Sequence, residues 1–142
     1  MTPPIDIHTI PILSVCQPYA HLIVHGPKRI ENRTWATKYR GWIGIHASKG
    51  RKYLPDADRL YDGMYGQGRM GPRPEFVFGA VIGAAKLVDC VSATHSQSAY
   101  ARLMGDPWFE GPVGWVLVEA RPIEPIPCRG MTGLFRLTKG NG

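Results

Sequence analysis

Cysteine is scarce in this chain, acid runs short, and no apolar run is long. The three cysteines, Cys16, Cys90 and Cys128, show no C-x-x-C pair and no His/Cys spacing suited to structural zinc. That excludes a disulfide framework, leaves the expected set of metals and cofactors at none, and reads as reduced thiols of the cytoplasm. Cys16 is expected as a small buried thiol, since no histidine partner stands at a known spacing. No apolar run approaches the ~18 residues of a membrane span, so no membrane partner is expected. Residues 1–9, with Asp6 and no basic cluster, are read as a flexible arm and not a signal peptide. Without secretion, Asn32-Arg33-Thr34 carries no meaning as a glycosylation sequon. Internal repeats and low-complexity linkers are also missing, and nothing here speaks to oligomeric state.

What is present suits one folded domain. The chain has 142 residues, 44% of them apolar and 20% charged. Gly 17 and Pro 13 imply many turns and short strands. The predicted fold class is α+β: a small mixed β-barrel of five or six strands with two or three short helices, spanning residues 10–139. Strands are expected from Trp42 to Ala47, Phe76 to Val91, Trp115 to Ala120 and Leu134 to Thr138, with an extended link over 122–130. Residues 49–60 and 92–104 read as short helices, and 62–75 as a Gly/Pro-rich loop. Gly66-x-Gly68-x-x-Gly71 in that loop spells a dinucleotide fingerprint, but no strand precedes it and Pro72 and Pro74 follow. It is rejected, and the loop's arginines leave it as a connector or a flap over a polyanion.

Chemistry concentrates between Ser14 and Arg33. Ser14–Val24 reads as a strand end followed by a short helix, with Pro18 in the first turn and Tyr19, Leu22 and Ile23 on one face. Gly26 and Pro27 end it. The strand that follows, Arg29–Arg33, alternates Ile30 against Arg29, Glu31 and Arg33. The plain alternative to a site is a solvated edge strand with a surface ion pair.

Net charge is +6, and the excess is clustered. From Lys28 to Lys52 eight cations (Lys28, Arg29, Arg33, Lys38, Arg40, Lys49, Arg51, Lys52) face one acid, Glu31. Trp35, Tyr39 and Trp42 are interleaved among them. Cations hold phosphates and aromatic faces stack on exposed bases, so RNA or a nucleobase is the expected partner, bound through a basic cleft. Solubility alone is the bland reading of the same charge.

Ser14-x-x-Gln17-Pro18-Tyr19-Ala20, then Gly26-x-Lys28-x-x-Glu31-x-Arg33, then Tyr39-Arg40-Gly41-x-Ile43-x-Ile45-His46-Ala47, resembles the ASCH domain, the activating signal cointegrator homology family of the PUA-like superfamily. The likeness is strong over residues 10–50; beyond them it rests on strand pattern and on the Pro125–Leu137 ending. It implies a PUA-like fold, and RNA or modified nucleobases bound around the G-x-K-x-x-E-x-R strand. Some members are N4-acetylcytidine amidohydrolases, others ribonucleases. In the amidohydrolases the lysine matching Lys28 works with a threonine three residues on and a glutamate on a later strand. Here those positions hold Glu31 and Gly83, which disfavours acyl transfer.

The expected ligand set is Ser14, Gln17, Tyr19, Lys28, Glu31, Arg33, Trp35, Arg40 and Lys49. Lys28, Glu31 and Arg33 are the catalytic candidates, with His46 behind them. Flanked by Lys28 and Arg33, Glu31 makes a better salt-bridge partner than general base, so binding asks less of these residues than catalysis does. The functional expectation is an RNA- or nucleobase-binding domain, with metal-independent ribonuclease activity as the enzymatic option. Two alternatives stay open: amidohydrolysis, and a protein-interaction module presenting Trp108 and Phe109.

Overall fold

A computed structural model describes residues 5–62, 70 and 72–137. The described elements run β1 (Pro11–Val15), α1 (Tyr19–Val24), β2 (Ile30–Arg33), β3 (Gly41–Ala47), a π-helical turn (Asp58–Asp62), β4 (Ala80–Val91), α2 (Gln97–Leu103), β5 (Val113–Pro127) and β6 (Leu134–Arg136). The six strands form one sheet in the order β2-β5-β4-β3-β1-β6. Only β1 and β3 run parallel; every other pairing is antiparallel. The sheet curls enough for Arg33 on edge strand β2 to donate Nη2 to the Ser14 carbonyl oxygen on β1 at 2.6 Å. The fold is α+β and PUA-like, a curled half-barrel in which β2 and β6 are the edge strands among the described residues.

β1, with sequence PILSV, is apolar at nearly every position, as befits a strand covered on both faces. Leu13, Ile43, Ile45, Leu87, Trp115 and Leu117 pack with Ile23 and Val24 of α1 into the main core. Trp115 is fully buried; its Nε1–H donates to Trp35 O at 3.0 Å, and the two indoles meet edge to face at 4.8 Å. α1 opens at Pro18 with no side-chain cap of its own. The Gln17 amide does that work instead. Its oxygen accepts from His21 N at 2.9 Å and its nitrogen donates to Val77 O at 2.9 Å. The helix ends where Gly26 N–H returns to Leu22 O at 3.1 Å. A Cβ at Gly26 would lie 2.9 Å from that same oxygen, so the turn requires glycine.

Several expectations change. Residues 113–127 form one strand, not a strand and a link, although Pro122, Pro125 and Pro127 interrupt its donors. Register shifts between Ala84 and Lys86 and between Val81 and Gly83 absorb the misfit, with Glu119 at φ 53° opposite the first. Residues 76–79 precede β4 and do not join it. Of the helix expected over 49–60, residues 52–55 form turns and helical backbone starts only at Asp56, after Pro55, running into the π-helical turn. Ile7, in the segment read as an arm, is buried with Ile12, Val81 and Phe135. The 62–75 loop lies mostly outside the described residues, and so does Arg69 of the flap reading; Arg73 is described and donates Nη2 to Asp58 Oδ1 at 2.7 Å.

Candidate functional site

The turn after α1 delivers Lys28 into the protein. Its ammonium is 3% exposed, donates to the Ile30 carbonyl oxygen, and stands 5.2 Å from the Tyr19 ring centroid and 5.7 Å from that of Trp108. Glu31 Oε1 lies 3.7 Å away. The other oxygen, Oε2, accepts from Arg33 Nε at 3.0 Å and stands 2.9 Å from Nη2. One buried carboxylate therefore joins two cations that point to different places. The surface ion pair considered above is not what forms. Burial pulls the Lys28 pKa below the usual lysine range, with Glu31 and Glu110 opposing the shift.

On the Lys28 side is a hollow of about 240 Å³ lined by Tyr19, Tyr53 and Trp108, by the carboxylates of Glu31, Asp56 and Glu110, and by Lys28 and Arg59. The Tyr19 hydroxyl donates to Asp56, and burial raises its pKa well above the phenol range, reinforced by that carboxylate. Asn32 holds the far wall. Its Nδ2 donates to Trp108 O at 2.9 Å, and its Oδ1 accepts from Glu110 N at 2.7 Å and Gly111 N at 3.0 Å. Acid outnumbers base in this wall, so the signature hollow is not the basic cleft expected from net charge.

The basic hollow lies on the Arg33 side. It measures about 610 Å³ and is lined by Arg33, Lys49 and Arg129 with no acidic side chain, together with Trp35, Ser14, Cys16 and His46. The carbonyl oxygen of Cys128 can only accept, so His46 Nε2, 2.9 Å away, carries the proton. Nδ1 is then the acceptor for the Ser14 hydroxyl at 2.9 Å. Burial lowers the His46 pKa, which keeps the ring neutral near pH 7. A Cβ at Gly130 would come within 3.0 Å of Ser14 Oγ and 2.9 Å of His46 Cε1, so only glycine lets the 128–133 segment close over the pair.

The expected residues thus divide. Tyr19, Lys28 and Glu31 meet in one hollow; Ser14, Arg33, Trp35, Lys49 and His46 meet in the other. Gln17 lines neither, being wholly buried and spent on α1 and Val77. Arg40 lines neither; its guanidinium serves Thr37 O and Tyr39 O and stands 3.7 Å from Asp89. Tyr39 and Trp42 do not stack outward: the Tyr39 hydroxyl donates to Trp42 O at 2.8 Å, and the Arg121 guanidinium covers the Trp42 ring at 4.6 Å. Arg51 lies over Phe78 at 4.1 Å and Lys52 over Tyr53 at 5.3 Å, so the eight-cation run does not act as one patch. Sequence reasoning missed Asn32, Asp56, Glu110 and Arg129. Asn32 stands inside the signature itself, and its lone amide between Glu31 and Arg33 was the available signal. Among the described residues no three His, Cys, Asp or Glu side chains group as a metal site, and no helix is long and apolar enough to cross a membrane.

A curled α+β sheet packed against its first helix is a small PUA-like fold. More narrowly, the chain belongs to the ASCH domain family, whose model matches residues 13–127. Activating signal cointegrator 1 of Homo sapiens is 30% identical over 131 residues, covering 88% of this chain and 22% of that protein. The protein of the same name from Mus musculus is 33% identical over the same shares. This chain therefore spans about a fifth of those relatives. ASCH from Zymomonas mobilis aligns with a TM-score of 0.51 at 20% identity, covering 94% of this chain and 91% of that one. A point mutant of it aligns at 0.53, covering 95% and 92%. At that identity the likeness speaks for the fold alone.

Proposed function

We propose that this chain binds single-stranded RNA, seating a base in the Lys28 hollow and phosphates in the Arg33 hollow. The observation that carries the reading is Glu31, whose two oxygens meet Lys28 on one side and Arg33 on the other. The smaller hollow offers rings for stacking and carboxylates that accept from an exocyclic amine. The larger offers Lys49 and Arg129 without a described acid beside them, and Arg33 from its pair with Glu31, and its volume lies in the range of ligand sites.

Fluorescence anisotropy of a labelled RNA oligonucleotide tests this across a salt series. Three phosphate contacts predict a log–log salt slope near −2, at about −0.7 per contact for single strands. Lys49→Ala and Arg129→Ala should each flatten it by about 0.7, whereas Trp108→Ala should weaken binding by about 1–3 kcal/mol at unchanged slope. A flat salt response, or no binding, sinks the proposal and favours the protein-interaction reading.

Metal-independent cleavage is the second reading, favoured by the Ser14–His46–Cys128 chain of hydrogen bonds. His46 is 1% exposed with both nitrogens engaged, so any proton transfer to substrate would pass through the Ser14 hydroxyl. Incubation of labelled RNA with chelator should show cleavage that Ser14→Ala and His46→Gln abolish; intact RNA leaves binding alone. Amidohydrolysis of the N4-acetylcytidine type gains no support. A Cβ at Gly83 would already lie 2.6 Å from Arg121 O and from Val24 Cγ1, which leaves no space for a glutamate.

A further inference from the structure

A third hollow, of about 280 Å³, opens beside α1 on the side of the π-helical turn, and the proposed RNA site uses none of its lining residues. Two of them are His21 and His25, one helical turn apart and so on one face. Their rings lie 4.5 Å apart at 30° to one another. No hydrogen bond to another described residue engages either ring, in contrast to His46, whose two nitrogens are both committed. Met70 and Tyr61 also line the hollow, the Tyr61 ring meeting that of His21 edge to face at 6.5 Å. Among the described residues the Tyr61 hydroxyl is the one buried side-chain polar atom without a hydrogen-bond partner. Leaving such a group unpaired costs about 1–3 kcal/mol, so it calls for a partner that no described residue supplies.

Among the described residues the wall contains no carboxylate, no thiol and no cationic side chain. Calcium and magnesium need hard oxygen ligands, and structural zinc favours a closed set of thiolates and imidazoles. Two imidazoles and a thioether are instead a borderline-to-soft donor set, the kind that selects copper and above all Cu(I). We propose that this hollow is a copper site, with His21 and His25 as the imidazole ligands, Met70 as the thioether ligand, and the Tyr61 hydroxyl as the polar partner at its wall. Ligands from one helical turn and from residues 61 and 70 would tie α1 to the segment beyond it, so metal binding would stabilise the folded chain.

Anaerobic competition for Cu(I) against a chromogenic chelator tests the site. Cys16 is a half-exposed thiol in the basic hollow and would compete, so all variants carry Cys16→Ser. The parent should withdraw one equivalent. His25→Gln, at an exposed position, should weaken binding at least about ten-fold, and Met70→Leu should weaken Cu(I) while sparing Cu(II). Tyr61→Phe gives a readout independent of the ligands: it should raise the melting temperature of the copper-free chain and reduce the further rise that copper brings. Failure of the parent to withdraw copper overturns the proposal, and so does equal withdrawal by His25→Gln. Neither result touches the RNA reading, whose salt slope depends on Arg33, Lys49 and Arg129.

Discussion

Replacing Glu31 by Gln removes the charge between Lys28 and Arg33 while keeping the side chain's shape. Lys28 Nζ stands 3.7 Å from Oε1. At an effective dielectric constant of ~20, that separation corresponds to about 4.5 kcal/mol of attraction. The ammonium then stays buried with Tyr19, Trp108 and the Ile30 carbonyl oxygen as its remaining contacts and the charges of Glu110 and Asp106 further off. Breaking a buried pair on one side costs about 3–5 kcal/mol, against about 5–15 kcal/mol for the whole stability of a domain. The lysine answers by losing its proton more easily. Its folded pKa is already below the unfolded value, so the unfolded chain binds more protons between the two, and stability rises with pH across that window. In Glu31→Gln the window should widen toward neutrality, and the rise should begin at lower pH. Urea unfolding from pH 6 to 10 measures both effects. The expected loss at pH 7 is about 3 kcal/mol or more, and adding Lys28→Met should recover most of it. A loss under about 1 kcal/mol with an unchanged pH profile would show that Lys28 is solvated, and the electrostatic account of the corner would fail.

Asn32→Ala removes three hydrogen bonds to the 108–111 segment. Stability should fall by about 1–3 kcal/mol, and the amides of Glu110 and Gly111 should lose protection in hydrogen exchange; retained protection would mean that the segment is held by other groups. Gly83→Ala places a methyl against backbone and a buried valine, and denaturant unfolding should register a loss of about 1–3 kcal/mol. His46 is buried and neutral, so its folded pKa lies below the unfolded value of about 6.5. The unfolded chain takes the proton first, and acidification below that value should destabilise the wild type more steeply than His46→Gln. Parallel pH profiles for the two would mean that His46 titrates as it does in the unfolded chain.

Local patterns made much of the fold legible. Pro18 and Gly26 bracket α1 because proline lacks the one donor a first turn can spare, and because the Cβ of any other residue at 26 would press on Leu22 O. Alternation placed Ile30 inward on β2, and the valine-rich run became β4. β5 was cut short because Pro122 reads as a strand end; its pairing with Gly83 is a long-range fact that no local window contains. In the sequence Gln17 reads as a ligand residue because a buried glutamine and a binding glutamine look alike until their partners are known.

By itself the chain determined most of the elements, the Lys28–Glu31–Arg33 spacing and the excess of positive charge, since each depends on neighbours a few residues apart. Only the tertiary structure decided that the carboxylate is buried, that its two cations serve separate hollows, and that the acidic side chains of 56 and 110 gather at one while Arg129 stands at the other. Those outcomes follow from the curl that brings Arg33 on β2 to Ser14 on β1, and from the dielectric of the enclosed space, neither of which is a property of any short stretch of sequence.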